Sequence, residues 1–155
     1  MDNNVVASPR FHEIIEEIRD LGFLPEAKLS VGRVPIQRRV DFNQGVDARI
    51  LCKSPMYLRD LSRICLKPLR IAFDHLGLKI PYEKAVRYAK EFGLTSMSNY
   101  MLYNFHDTPA DLFERMRVSY LGFALKPASR VNTKTCARNK AMSLASAIKF
   151  PPRQT

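Results

Sequence analysis

Leu69-Arg70-Ile71-Ala72-Phe73-Asp74-His75 is the clearest structural signal in the sequence, because its apolar residues are followed directly by two polar ones. A short apolar run that is bounded by turn residues is typical of a buried strand. Two further runs, at residues 40–46 and 97–105, have the same character. The sequence therefore predicts three strands: Val40 to Val46, Leu69 to Asp74 and Met97 to Phe105.

Four helix starts flank and separate these strands. Ser8-Pro9, Ser54-Pro55 and Thr108-Pro109 each place a capping hydroxyl before a proline at the first helical position, and Pro81 opens another helix without the hydroxyl. Strands that alternate with helices predict an α/β fold, in which helical crossovers join parallel strands. Between the first two starts, residues 24–39 are expected to form a basic, irregular insertion.

The positive charge is concentrated in one part of the chain. The net charge is +10, and residues 126–155 contain seven basic side chains and no acidic one. We therefore divide the chain into a domain at 1–122 and a basic, irregular tail at 123–155. The tail is interpreted as the product of a reading-frame change or as a cationic arm. It is nearly without aromatic side chains that stack on bases, so nucleic acid is an unlikely partner.

Composition excludes several other classes of protein. No apolar run approaches the roughly 20 residues of a membrane span, and Met1-Asp2-Asn3-Asn4 is unlike a secretion signal, so we expect a cytoplasmic protein without membrane contact. Cys52, Cys65 and Cys136 are too dispersed for a disulfide framework or a metal site. We expect reduced thiols, with Cys65 on the buried stripe of a helix, and a His12 that is merely solvated.

Polar side chains follow each predicted strand. They lie in Asn43-Gln44-Gly45-Val46-Asp47-Ala48-Arg49, in Asp74-His75 and in Asn104-Phe105-His106-Asp107, and Asp2-Asn3-Asn4 at the start of the chain is a fourth polar group of this kind. Parallel α/β folds assemble their sites at the carboxyl ends of strands. These groups therefore indicate a rim that binds a polar ligand, although capping of helices and closing of turns would use the same residues. The two His-Asp pairs make an incomplete metal or acid–base site, and we predict no metal site.

A family resemblance rests on the order of several segments. Four parts of the chain resemble successive segments of radical S-adenosylmethionine enzymes: Asp2-Asn3-Asn4 with Ser8-Pro9-Arg10-Phe11, residues 40–49, residues 69–75 and residues 99–109. The resemblance covers about residues 2–117 and implies part of a parallel (β/α) barrel, with about three strands and four helices. In its last segment, Asn104 and its neighbours replace the usual glycines of the turn.

The resemblance also implies a cofactor and its contacts. S-adenosylmethionine would be held at the rim, where Arg49 is the best-placed guanidinium for the methionine carboxylate. Asn43, Gln44 or Asp47 would take the ribose hydroxyls, and Asn104 would approach the cofactor through its backbone. A surface ion pair between Arg49 and Asp47 is the open alternative.

One departure from the family decides the expected activity. Its members hold an iron–sulfur cluster with a CxxxCxxC loop, and this sequence contains no such spacing. The resemblance therefore implies a truncated portion of an enzyme that begins at the end of the third strand, binds no cluster and is inactive alone. Two alternatives are a basic nucleic-acid-binding module and a subunit completed by a partner chain that supplies the missing strands and the cluster. In such a fragment the segment from Val40 to Val46 would correspond to the fourth strand of the barrel and would lack its third-strand partner. Its exposed edge would promote association of the chain with itself.

Overall fold

The structure, a computed structural model, describes residues 4–103 and 107–124. The described part begins with a 3-10 turn at Val5–Ala7 and continues with helices and strands that alternate over most of its length. In chain order the elements are α1 (Phe11–Asp20), β1 (Lys28–Val31), β2 (Val34–Gln37), β3 (Val46–Asp47), α2 (Ala48–Lys53), α3 (Met56–Leu61), β4 (Leu69–Ala72), α4 (Lys79–Glu91), β5 (Met97–Tyr100) and α5 (Pro109–Ala124).

The central sheet has three parallel strands in the order β3-β4-β5. Its register aligns Asp47 with Ala72 and Ala72 with Tyr100, so these three residues form one row across the carboxyl ends of the strands. The prediction of a mixed α/β fold with parallel strands is confirmed. The described residues contain no closed barrel.

Helices cover one face of this sheet. Leu69, Ile71 and Phe73 alternate along β4 and just beyond it, and each is buried in the hydrophobic core. The Phe73 ring stacks on Tyr82 of α4, with 4.4 Å between ring centroids. Side chains alternate between faces along a strand, so Arg70 and Ala72 belong to the opposite face, where both are only half-buried.

The strands are shorter than the sequence predicts. The predicted strand from Val40 to Val46 is reduced to one parallel bridge at Val40 and to the two residues of β3. Asn43 has a φ of 54°, and this left-handed backbone interrupts the extended run. The other two strands end at Ala72 and Tyr100, before the residues predicted to close them.

The prediction of an irregular insertion at residues 24–39 is wrong, since β1 and β2 form an antiparallel hairpin there. Gly32 and Arg33 make its two-residue turn, and Gly32 has a φ of 73°. Glycine at the first turn position is typical of tight hairpins, because it adopts positive φ without a steric cost.

The helices also differ from their predicted limits. α1 begins at Phe11 rather than after Ser8, and α4 begins at Lys79, which places Pro81 inside its first turn. The short helix α2 was not predicted. α5 continues to Ala124, so the proposed domain boundary at residue 122 falls inside this helix. Residues 125–155 of the predicted tail lie outside the described residues.

Helix length and polarity bear on membrane contact. Among the described residues, no helix is both long enough and apolar enough to cross a bilayer.

Candidate ligand-binding rim

We use the name rim for the row Asp47, Ala72 and Tyr100 together with the residues that follow each strand. The end of β3 carries the strongest polar contact of the predicted site. Arg49 donates from Nε to Asp47 Oδ1 at 3.0 Å and from Nη2 to Asp47 Oδ2 at 2.7 Å. The same carboxylate accepts the Arg49 backbone N–H at 2.8 Å, which caps α2. These hydrogen bonds lower the pKa of Asp47, so the pair is ionised at neutral pH.

The Asp47–Arg49 pair is accessible from solvent. The Arg49 side chain is 63% exposed, and that of Asp47 is 24% exposed. Exposed ion pairs contribute about 0–1 kcal/mol, so little free energy holds the guanidinium in this position. A ligand carboxylate of matching geometry would therefore compete with Asp47 for the same fork of donors.

The loop before β3 is held by a second pair. Arg70 donates to both carboxylate oxygens of Asp41, at 3.0 and 2.6 Å, and Asp41 also accepts the backbone N–H of Asn43 at 2.8 Å. The Arg70 hydrogen bonds lower the pKa of Asp41 to about 2. Asn43 is exposed on this loop, so its position is set by Asp41 rather than by the rim.

Gln44 lines a cleft next to β3. The cleft has a volume of about 300 Å³ and lies between the start of the described chain and the loop before β3. Its walls are mainly apolar, with Val5, Ile14 and Phe42, and its polar side chains are Ser8 and Gln44. This is enough space for a ribose or a small heterocycle, with one amide and one hydroxyl to orient it.

Gly45 allows this loop to lie against the sheet. A Cβ at residue 45 would lie 2.9 Å from the Cβ atoms of Ala72 and Tyr100. Those residues are two members of the rim row, so only glycine fits this approach without a shift of the backbone.

The five predicted site residues are therefore only partly brought together. Asp47 and Arg49 contact each other, Gln44 lines the neighbouring cleft, and Asn43 is bound to Asp41. Asn104 lies outside the described residues. The open alternative for Arg49, an ion pair with Asp47, is the arrangement in this structure.

Sequence reasoning missed the residue that holds the other half of the rim. Arg115 of α5 is fully buried, and its Nη1 donates to the carbonyls of Phe73, Asp74 and Leu102 at 2.8, 2.8 and 3.0 Å. Its Nη2 donates to Asp107 at 2.8 Å. One guanidinium therefore joins the ends of β4 and β5 to α5. The available signal was its helical spacing from Val118 and Ser119, which places a cation on the buried stripe.

The predicted His-Asp pairs do not form a shared site in the described part of the chain. Asp107 pairs with Arg115, and Asp74 accepts the Leu102 backbone N–H at 3.4 Å. His75 is exposed, and His106 is not among the described residues. Within those residues, no group of three or more His, Cys, Asp or Glu side chains is placed to hold a metal ion.

Two further expectations need correction. His12 is not merely solvated, because its Nδ1 lies 2.8 Å from Oδ2 of the buried Asp60. Cys65 is buried as expected, but it lies in the turn after α3 rather than on a helix. Burial raises the pKa of this thiol, which disfavours its thiolate form.

Comparison of the chain with models of protein families, with curated proteins and with solved structures finds no match.

Proposed function

We propose that this chain forms part of a radical S-adenosylmethionine barrel, and that its rim binds the methionine carboxylate and the ribose of S-adenosylmethionine. The observation that carries the proposal is the unequal covering of the parallel sheet. Its helix-covered face is apolar, with Leu69 and Ile71 buried, whereas its other face carries half-buried Arg70 and Ser98. Parallel sheets are ordinarily covered on both faces, and a barrel wall is one structure that covers the second.

The edges of the sheet support the same architecture. β3 contributes only two residues and β5 ends the sheet on the other side. Each parallel strand is followed along the chain by a helix: α2 after β3, α4 after β4 and α5 after β5. In the described part of the chain both edges of this sheet are unpaired, and a repeated strand–helix unit of this kind extends naturally by further strands.

The chemistry of the rim fits two recognition groups of the cofactor. Arg49 presents a planar fork that binds carboxylates through two parallel hydrogen bonds, as it does with Asp47. Gln44 lines the cleft and is exposed, and its amide can accept or donate a hydrogen bond to a ribose hydroxyl. When bound in this family, S-adenosylmethionine supplies the reactive 5′ carbon, and an iron–sulfur cluster supplies the electron that cleaves it.

The cluster does not fit the residues of this chain. The sequence has three cysteines, at 52, 65 and 136, and none of the intervals between them corresponds to CxxxCxxC. Cys65 is buried with a raised pKa, which disfavours the thiolate that binds iron. We therefore assign the cluster to other strands of the barrel and derive no step through it.

Binding of S-adenosylmethionine to the full chain, measured by isothermal titration calorimetry, tests the proposal. Arg49→Met is expected to weaken binding at least tenfold, because it removes a bidentate charge-assisted contact worth about 1.5–3 kcal/mol. Decarboxylated S-adenosylmethionine lacks the Arg49 partner, so it is expected to bind wild type and Arg49→Met equally. The matched control is Arg87→Met, which removes an exposed guanidinium of α4.

Three results would contradict the proposal. The first is no heat of binding at millimolar S-adenosylmethionine. The second is equal affinity of Arg49→Met and wild type, and the third is a loss of affinity in Arg87→Met as large as that in Arg49→Met. A second test uses co-expression with a polypeptide that carries a CxxxCxxC loop and the first strands of such a barrel. We expect lower self-association of the chain in sedimentation velocity, since the open face and edge would then be covered.

A further inference from the structure

The β1–β2 hairpin presents an uncovered apolar face. Residues that pair directly across an antiparallel hairpin share a face, and Leu29 pairs with Ile36. Val34 is two residues before Ile36 in β2, so its side chain lies on the same face. Their exposed fractions are 45%, 58% and 72%. The other face carries Lys28, Ser30 and Gln37, so this is an amphipathic hairpin whose apolar side is in contact with solvent.

Within the described residues, the outer backbone edge of β1 is not paired with another strand. The Arg38 N–H donates to the Ala27 carbonyl at 2.8 Å, and hydrogen-bonded pairs alternate along an antiparallel ladder. The backbone groups of Lys28 and Ser30 therefore point away from β2, at the outer edge of β1. On the outer edge of β2 the corresponding position is Pro35, which has no N–H to donate. β1 is thus the edge that can accept another strand.

The charge of this segment is one-sided. Residues 27–40 contain Lys28, Arg33, Arg38 and Arg39 and no acidic side chain. Arg38 donates to the Leu21 carbonyl and covers the Phe23 ring. Within the part of the chain that the structure describes, no carboxylate pairs with Lys28, Arg33 or Arg39.

We propose that the hairpin is a docking site for an extended, acidic segment of a partner protein, which adds as a strand to β1 and lays alternate apolar side chains on Leu29, Val34 and Ile36. Addition of a strand satisfies the open edge by main-chain hydrogen bonds, and apolar contacts on one face add specificity. Carboxylates of the partner complement the unpaired cations at the turn and at the base of the hairpin.

Other occupants fit these observations less well. A second copy of the chain would bring its four cations of the same segment against their equivalents. A lipid bilayer cannot satisfy the backbone groups of an open edge. Residues 24–40 contain no aromatic side chain, so nucleic acid bases would find nothing to stack on.

Selection of random peptides displayed on phage against the full chain tests the proposal. We expect enriched peptides to carry a net negative charge and apolar residues at alternate positions. Affinities of a selected peptide are then measured by fluorescence anisotropy. Ile36→Ser removes an apolar contact and Ser30→Pro removes an N–H from the open edge without breaking the β1–β2 ladder; each is expected to weaken binding at least tenfold. Ile80→Ser, at a 78% exposed position of α4, is the control and is expected to change binding less than twofold.

Several outcomes would overturn the proposal. Selection of neutral or basic peptides, or of none, contradicts the stated chemistry. Equal binding by Ile36→Ser or Ser30→Pro and wild type places the peptide elsewhere. Self-association that Ile36→Ser abolishes identifies a second copy as the occupant. A further outcome is retention of the chain on phosphatidylserine vesicles or on a single-stranded RNA oligonucleotide. If Ile36→Ser abolishes that retention, the occupant of the hairpin is a membrane or a nucleic acid.

Discussion

The two halves of the rim are each organised by an arginine, and the two arginines differ in burial and in partners. Arg49, at the end of β3, is 63% exposed and bound to one carboxylate. Arg115, at the ends of β4 and β5, is fully buried and bound to three carbonyls and to Asp107. A buried guanidinium with four hydrogen bonds is part of the architecture, whereas an exposed one with a single partner is free to exchange that partner for a ligand.

Substitution of Arg115 is expected to have the largest effect of the changes considered. Arg115→Met removes the four hydrogen bonds that this guanidinium donates to Asp107 and to three carbonyls, which costs about 3–5 kcal/mol of the free energy of unfolding, as for other broken buried pairs. Urea denaturation followed by circular dichroism measures this loss. Arg117→Met, two residues away and 51% exposed, should change stability by less than about 1 kcal/mol. Equal stability of the two variants would remove the distinction between the halves of the rim.

Gly45→Ala tests how tightly the β3 half lies against the sheet. The new Cβ would meet Ala72 and Tyr100 at 2.9 Å, and we expect a loss of about 1–3 kcal/mol by overpacking. Gly122→Ala in α5 is the opposite case, because its nearest atom is at an ordinary 3.5 Å and alanine favours a helix by up to about 1 kcal/mol. We expect Gly45→Ala to lower the midpoint temperature of thermal unfolding and Gly122→Ala to raise it. An unchanged midpoint in Gly45→Ala would contradict the close approach of residue 45 to the sheet.

Tyr82 ties α4 to β5 beneath the rim. Its hydroxyl donates to Asn99, and burial raises its pKa to about 12. Tyr82→Phe leaves the Asn99 oxygen without this donor, at an expected cost of about 1–2 kcal/mol. Exposed Tyr120→Phe should cost nothing measurable in the same denaturation assay.

The raised pKa of Tyr82 also gives the sign of a pH effect. The folded chain binds the phenolic proton more tightly than the unfolded chain, whose tyrosine has a pKa near 10. The contribution to stability is therefore complete below pH 10 and is lost as the pH rises towards 12. We expect the urea midpoint of unfolding to fall between pH 10 and pH 12 in wild type and to stay constant in Tyr82→Phe. The same fall in both would assign the effect to other groups.

The Asp41–Arg70 pair should give the smallest effect, because both side chains are partly exposed. The Arg70 hydrogen bonds hold the pKa of Asp41 at about 2, so the pair contributes stability above pH 4 and loses it as the pH falls through 2. Arg70→Gln should return the pKa of Asp41 towards its usual value in a carbon-13 NMR titration, and Arg63→Gln should not. An unchanged Asp41 titration in Arg70→Gln would show that the loop before β3 is held in another way.

The sequence was sufficient for the part of the fold that depends on local patterns. The apolar run from Leu69 to Phe73 and the Thr108-Pro109 helix start lie where they were predicted. The hairpin was missed because Gly32 and Arg33 were interpreted as part of a basic insertion rather than as a two-residue turn. The strand predicted from Val40 to Val46 is shorter than expected because Asn43 has a left-handed backbone, which the pattern of apolar residues does not predict.

The candidate site was predictable only where its partners are close in sequence. Asp47 and Arg49 are two residues apart, so their pairing was a foreseeable alternative. Arg115 finds its partners at Phe73, Asp74 and Leu102, which tertiary packing alone brings together. A cation on a helix is ordinarily assigned to the surface, and only the helical spacing of Arg115 from Val118 and Ser119 indicated a buried position.

NMR of the arginine side chains during addition of S-adenosylmethionine compares the two halves of the rim in one experiment and tests the claim on which the proposed function depends. The claim is that the β3 half of the rim binds a ligand and the β4–β5 half is structural. We predict that the Nε–H signal of Arg49 shifts and gains protection from solvent exchange as S-adenosylmethionine is added, while that of Arg115 stays unchanged throughout. An unmoved Arg49 signal at saturating S-adenosylmethionine, or a shift at Arg115 in its place, would contradict the claim.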